Sequence, residues 1–367
     1  MSKRYRISAV VATCALAGTG LAVADPAGAA TPGVTAQFVK GLGVLTVFGD
    51  STGNRIVVSR DVAGNILVND GAVDIHGAAA TVDNVGTLRV LAGAGNDSVT
   101  LNTSSGALPP AFVFGGAGDD TLIGGSGNDT LFGDAGNDFV DGNGGVDLVA
   151  LGDGNDTFQW DPGDGSDVVD GDAGRDTMVF NGAGGPETFD VSANGSRVRY
   201  TRSAGNIVMD LGSIEEIDTN ALGGADVFVA HDLTGTGVTD LAVDEGADGA
   251  ADRVTVDGTN DVDLVTVSGS AASGVSVTGL GTTVRVLHTD SFDALDVETG
   301  AGNDTVNASG LAAAVVTYSA DGGAGNDTLV GSAGDDTLHG GDGDDVLSGG
   351  PGTDVLDGGA GVNVLIQ

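Results

Sequence analysis

Cysteine is almost absent: Cys14 is the only one in 367 residues, so no intrachain disulfide can form. Cationic side chains are scarce as well, with Lys+Arg 13 against Asp+Glu 52 and a formal net charge of −39. Phosphate backbones and anionic surfaces are bound by clustered cations, so this balance argues against nucleic acid and anionic membrane surfaces as partners. The four histidines, His76, His231, His288 and His339, show no HExxH spacing, which removes a zinc protease. Aromatic residues make up 4%, few, as expected of slim repetitive β structure. Beyond the N-terminal segment no run of 18 apolar residues occurs, so the sequence offers no further membrane span.

That N-terminal segment places Lys3, Arg4 and Arg6 before the apolar run Ile7 to Ala24. The run ends in Ala22-Val23-Ala24, a small-residue cleavage site, with Ala27-Gly28-Ala29 as a second choice near 29. Residues 1–24 therefore read as a secretory signal peptide, and the mature chain as extracellular. Thr13 before Cys14 argues against a lipoprotein, and cleavage would leave no thiol.

What is abundant is glycine, 66 residues, against a usual share of about 7%. Residues 322–366 cut into nines read GGAGNDTLV, GSAGDDTLH, GGDGDDVLS, GGPGTDVLD and GGAGVNVLI. Residues 115–159 give GGAGDDTLI, GGSGNDTLF, GDAGNDFVD, GNGGVDLVA and LGDGNDTFQ. After Trp160 and Asp161 the rule resumes in PGDGSDVVD and GDAGRDTMV, ending at 179. Glycine falls early and at the fourth place, aspartate at the sixth, and a large apolar residue at the eighth. A disordered Gly/Asp tract would not keep the eighth place apolar while the third and ninth vary.

This pattern resembles the calcium-binding nonapeptide GGxGxDxUx of the RTX (hemolysin-type) family. The resemblance implies parallel β-roll arrays, two nonamers per turn, with calcium between stacked loops. The residues argue the same way. A sharp loop that gathers carbonyls needs glycine, and three residues such as Thr121-Leu122-Ile123 suit a short strand. The eighth places, Leu122, Leu131, Val140, Val149 and Phe158, then Leu329, Leu338, Leu347, Leu356 and Leu365, give one inward side chain per nonamer. So thin a core does not offset ordering costs of roughly 1–2 kcal/mol per residue. Stacking would set Asp120, Asp138 and Asp156 on one edge and Asp129 and Asp147 on the other, about 4.8 Å from loop to loop. Bare carboxylates at that spacing repel, and a hard divalent cation taking carboxylate and carbonyl oxygens reverses the sign.

The expected side-chain ligands are Asp120, Asp129, Asp138, Asp147, Asp156, Asp167 and Asp176 in the first array and Asp327, Asp336, Asp345 and Asp354 in the second. Gly116, Gly118, Gly125, Gly127, Gly323, Gly325, Gly341 and Gly343 shape the loops that supply carbonyls. Asn363 replaces aspartate in the last copy and reads as a cap.

Along the chain we expect a β-rich segment at 31–114, the first array at 115–179, a β-solenoid-like region at 180–321 and the second array at 322–367. An antiparallel sandwich is the alternative for 180–321, where strand-like runs such as Arg197 to Tyr200, Arg253 to Val256 and Val284 to Leu287 alternate with turn residues. AGAGNDSVT, LGGADVFV and GAGNDTVNA look like isolated repeats. The expected fold class is all-β, parallel β-roll arrays stacked with an irregular β-solenoid. FQWDPGDGSD and the terminal DVLDGGAGVNVLIQ are similar to a family of secreted actinobacterial calcium-binding proteins with two RTX blocks.

Catalytic alternatives rest on few residues. Gly49-Asp50-Ser51-Thr52-Gly53 fits GxSxG and, with Phe48, resembles the nucleophile block of GDSL hydrolases, and Asp336-Thr337-Leu338-His339 fits a DxxH. The first lies between strand-like runs with no helix to form a nucleophile elbow, and the second sits inside a nonamer. A polysaccharide lyase or epimerase on the central region would use Arg197, Arg199, Tyr200 and Arg202, which also read as one strand. The expectation is a secreted, non-enzymatic protein that binds several calcium ions, with the cell envelope, extracellular polysaccharide or protein as the partner classes to consider.

Overall fold

The computed structural model describes residues 33–367, so the leader at 1–24 and Cys14 lie outside the described residues. Among these residues there is no α-helix; short strands alternate with tight loops throughout, broken by the 3₁₀ turns Asn69–Gly71 and Ala204–Asn206. The chain divides into two compact units. One runs to Asp156 and includes Val168–Gly174, and the other holds Thr157–Asp167 and Arg175–Gln367.

In the first unit the nine-residue rule becomes half a turn of a parallel coil. Thr130 pairs with Phe112 on one side and Leu148 on the other, and Thr121 with Ser98 and Phe139 on the opposite sheet. The interval from Leu148 to its partner Val168 is longer by the inserted Trp160 and Asp161. The segment before the array follows the same course: Val44–Phe48 pairs in parallel with Thr87–Ala94, which pairs with Ala111–Ala117. Antiparallel pairing occurs where Thr35–Val39 meets Val44–Phe48 and Arg55–Arg60 meets Ile66–Val68.

In the second unit the 180–321 region is coil as well. Thr188–Asn194, Val227–Ala230, Arg253–Asp257, Ala294–Glu298, Thr317–Asp321, Asp336–His339 and Val355–Asp357 form one unbroken parallel register. The second array is thus the continuation of the central turns. The antiparallel alternative is realised only in excursions, the meander Thr188–Asn194, Arg197–Arg202, Ile207–Gly212 and the strand Gly274–Thr278 between Leu264–Ser270 and Thr283–Leu287.

The eighth-place side chains make the core: Leu122, Leu131, Val140, Val149, Phe158, Leu329, Leu338 and Leu347 are fully buried. Leu356 is half-buried and Leu365 is 49% exposed in the final turns. The second unit is thicker near its start, where Trp160 stacks on Phe180 at 4.1 Å and Tyr200 packs on Phe180 at 4.6 Å. Each such aromatic removes far more apolar area from water than one array leucine.

Candidate metal centre

Sixth-place carboxylates form hydrogen-bonded rows. The backbone N–H of Asp97 donates to Asp120 Oδ1, that of Asp120 to Asp138 Oδ1 and that of Asp138 to Asp156 Oδ1, each at 2.7 Å. On the other edge Asp129 N–H donates to Asp147 Oδ1 at 2.7 Å. In the second unit Asp263, Asp304, Asp327, Asp345 and Asn363 make one row, and Asp336 donates to Asp354. One oxygen of each acceptor carboxylate is thereby fixed, and a buried charge is steered by the turn before it.

The second oxygen divides the aspartates. Oδ2 of Asp120, Asp138, Asp327, Asp345 and Asp354 is buried with no hydrogen-bond partner among the described residues. Asp129 Oδ2 instead accepts the Gly125 N–H at 2.8 Å, and Asp336 Oδ2 accepts the Ser332 N–H at 2.7 Å. Asp147, Asp156, Asp167 and Asp176 are buried in the same places. Asp167 N–H points at Met209 Sδ, and Asp176 N–H donates to Glu215 Oε2 at 2.9 Å.

First-place glycines let these oxygens come close to the main chain. A methyl group on Gly115 would lie 2.4 Å from Asp120 Oδ2 and 2.8 Å from the Gly133 carbonyl oxygen. On Gly322 it would lie 2.5 Å from Asp327 Oδ2 and 2.8 Å from the Gly340 carbonyl. Each cradle is therefore bounded by its own repeat's carboxylate and a carbonyl of the next turn. Fourth-place glycines stack more tightly still: on Gly136 a methyl would meet the Gly118 carbonyl oxygen at 2.1 Å, with φ at 137°. Gly116, Gly118, Gly323, Gly325, Gly341 and Gly343 all have positive φ, while Gly125 and Gly127 are not in that region. At the second place Asp134, Asn143 and Asp172 take positive φ in place of glycine, as short polar side chains can.

Burial is the main cause that pushes these carboxyls up, Asp120 and Asp327 to about 6 and Asp138 to about 7, with neighbouring carboxylates adding to it. Asp129, Asp156 and Asp336 are raised for the same reason. A buried carboxylate prefers to be neutral unless a cation meets it. Among the described residues no three His, Cys, Asp or Glu side chains converge as a metal cluster. A cation here would draw on one or two carboxylates and on loop carbonyls, the hard oxygen donors that calcium takes. The orphaned Oδ2 atoms, each held beside a carbonyl of the next turn, fit that ion.

A second ladder went unread in the sequence. Fifth-place side chains accept the N–H one turn later: Asp119 Oδ1 takes Asn137 N–H, Asn137 Oδ1 takes Asn155 N–H and Asn326 Oδ1 takes Asp344 N–H, each at 2.8 Å. Asp97, Asp263 and Asp304 are buried in these rows, and Asp226, Asp252 and Asp293 in a further row with Glu187; none was singled out from the sequence as a site residue. Their common signal is an acid followed two residues later by a buried apolar residue, as in Asp252-Arg253-Val254 and Asp293-Ala294-Leu295.

The other candidates have structural company. Ser51 lies in an exposed turn where Asp50 Oδ1 accepts Thr52 N–H and Oγ1. Asp336 is held by Ser332, and Ser51 and His339 fall in different units. Tyr200 is fully buried on Thr219, Arg197 pairs with Asp210, Arg202 with Glu187, and Arg199 is exposed. No helix of the described residues is long and apolar enough to cross a membrane.

The RTX calcium-binding nonapeptide repeat model (4 copies) matches residues 112–140, 123–158, 163–182, 321–356 and 330–365. The chain carries RTX calcium-binding nonapeptide repeats in several copies, in an all-β fold of long parallel sheets. No curated protein matches it.

Proposed function

We propose that this is a secreted, non-enzymatic calcium-binding protein whose repeats take up several calcium ions between stacked turns and fold on export. One observation carries the reading: Oδ2 of Asp120, Asp138, Asp327 and Asp345 is buried without a partner among the described residues, each beside a first-place glycine and a carbonyl of the next turn. Calcium supplies positive charge there when bound. Asp120, Asp138, Asp327, Asp345 and Asp354 would hold it through Oδ2, their Oδ1 atoms being committed to or aligned with the row. Fourth-place glycines let successive loops approach so that carbonyls line the gap.

Because such a site exists only when turns are stacked, binding energy is folding energy. Sites with affinities of about 10⁻⁴–10⁻³ M stay empty where calcium is scarce and fill outside the cell. The basic and apolar N-terminal segment supports export. The turn-bound setting of Ser51 and the internal pairing of Arg197, Tyr200 and Arg202 support a non-catalytic role. Calorimetric calcium titration of the full chain, with circular dichroism in chelator and after calcium is restored, tests the proposal. Several ions bound with a gain of β signal are expected; a chelated chain with the same spectrum and melting temperature would overturn it.

A further inference from the structure

In the central turns the first-place glycine rule lapses. In the second unit Asn181, Asn220, Asp244 and Leu287 stand in register, so Gly182, Ala221, Glu245 and His288 follow one another at the first place. The backbone confirms the column: Gly182 N–H donates to the Asn220 carbonyl, Ala221 to Asp244 and Glu245 to Leu287. At Gly182 a methyl group would meet Glu187 Oε2 at 2.7 Å and the Ala221 carbonyl at 2.9 Å, the same cradle as in the arrays. At position 245 a carboxylate side chain starts from that place.

Glu245 is 3% exposed and its Oε2 has no hydrogen-bond partner among the described residues. The charged groups that act on it most are Asp293, Asp252, Asp226 and Asp244, all acidic. Asp252 is 3% and Asp226 4% exposed, and Oδ2 of both is also unpartnered. Their Oδ1 atoms accept the N–H of Asp226 and Glu187 in the row, so the open oxygens belong to fixed carboxylates. Three buried acids with unpartnered oxygens and no cation among their strongest neighbours are carboxyls whose negative form nothing in the protein offsets.

We propose that Glu245 is a side-chain ligand of a further calcium site in the central coil, sharing the ion with Asp252 and with main-chain carbonyls, and flanked by Asp226. Two carboxylates and carbonyls form the donor set, so no preformed side-chain triad is required. The extra carboxylate makes this site tighter than an array cradle, since calcium affinity follows ligand charge. The inference shares with the proposed function only the identity of the ion.

The test compares calcium bound per full-length chain after equilibrium dialysis at fixed free calcium. Glu245→Gln keeps the shape and removes the charge, and is expected to lose about one ion per chain, the last to leave on chelation. The double variant Asp138→Asn with Asp345→Asn should lower the count among the weaker ions and keep the tight one. An unchanged count in Glu245→Gln, with an equal or higher melting temperature in chelator, would overturn the proposal and make Glu245 a protonated plug of its cradle. An unchanged count in the double variant would fault the array reading alone. Should Glu245→Gln fail to fold, crystals of the native chain soaked in terbium decide. An anomalous peak against the Glu245 carboxylate supports the site, and peaks in the arrays with none there overturn it.

Discussion

Gly127 and Gly136 hold the same fourth place in adjacent nonamers, yet their surroundings differ. A methyl group on Gly127 would have nothing nearer than the Leu108 carbonyl at 3.9 Å, whereas on Gly136 it would lie 2.1 Å from the Gly118 carbonyl at a φ of 137°. Gly136→Ala is therefore expected to cost about 3 kcal/mol, and Gly127→Ala under about 0.5 kcal/mol, in urea unfolding at saturating calcium. Equal costs would show that the loops relax. His231 offers a second reading of single residues, because its Nε2 lies 2.9 Å from Asp190 Oδ2 and its Nδ1 2.6 Å from Asp257 Oδ2. Partial burial pulls the imidazole down, but the hydrogen bonds to Asp257 and Asp190 outweigh it and hold it above 6.5. The folded state then binds the proton more tightly than the unfolded chain. Its contribution is complete below about 6.5 and is lost as pH rises through the higher folded value. His231→Gln should lower the melting temperature at pH 6 and leave it nearly unchanged at pH 9. A loss as large at pH 9 would assign His231 to packing instead.

At the scale of elements, the arrays were legible because nearly every turn has the same length: the rows Asp120 to Asp138 and Asp327 to Asp345 both step by 18 residues. The central turns carry the same row at steps of 39, 26, 41 and 41 residues, Glu187 to Asp226, Asp226 to Asp252, Asp252 to Asp293 and Asp263 to Asp304. Antiparallel excursions lengthen three of these turns and a longer loop the fourth, so a search at fixed spacing loses the rule although the acid-x-apolar signature persists. Strand positions such as Arg253–Asp257 and Thr283–Leu287 were readable from β-branched runs, but their partners, being one long turn away, were not. The excursions also bring chemistry that the nonamers lack. The meander strand Arg197–Arg202 delivers Arg202, 6% exposed and 5.2 Å from the Trp160 ring, to Glu187, so that this row's carboxylate is met by a guanidinium. Arg202→Ala would strand a buried carboxylate and should cost about 3–5 kcal/mol, while adding Glu187→Gln should recover a large part of it. The double-mutant cycle in denaturant checks this, and additive losses would mean that Arg202 acts only through packing.

For the whole molecule the governing quantity is a formal charge of −39, in which many acids are confined to buried rows. Two kinds of repulsion follow, and they respond differently to ions. Exposed carboxylates are screened by any salt, over about 8 Å at physiological ionic strength. Buried ones such as Asp120, Asp138, Asp327 and Asp345 are out of reach of a diffuse atmosphere and answer only to an ion that enters the cradle. Adding sodium chloride to the chelated chain should therefore raise its melting temperature by a small, saturating amount. Calcium at the same ionic strength should raise it much further, each site adding about 1.4 kcal/mol at ten times its dissociation constant. Because the sites sit in stacked turns, the rise should continue with the logarithm of free calcium, at a slope that counts the ions released on unfolding. Asp138→Asn with Asp345→Asn should flatten that slope while leaving the sodium response in place. If sodium chloride reproduced the calcium effect at equal ionic strength, the rows would be ordinary acidic surfaces, and their burial beside the glycine cradles would have no bearing on what holds the turns together.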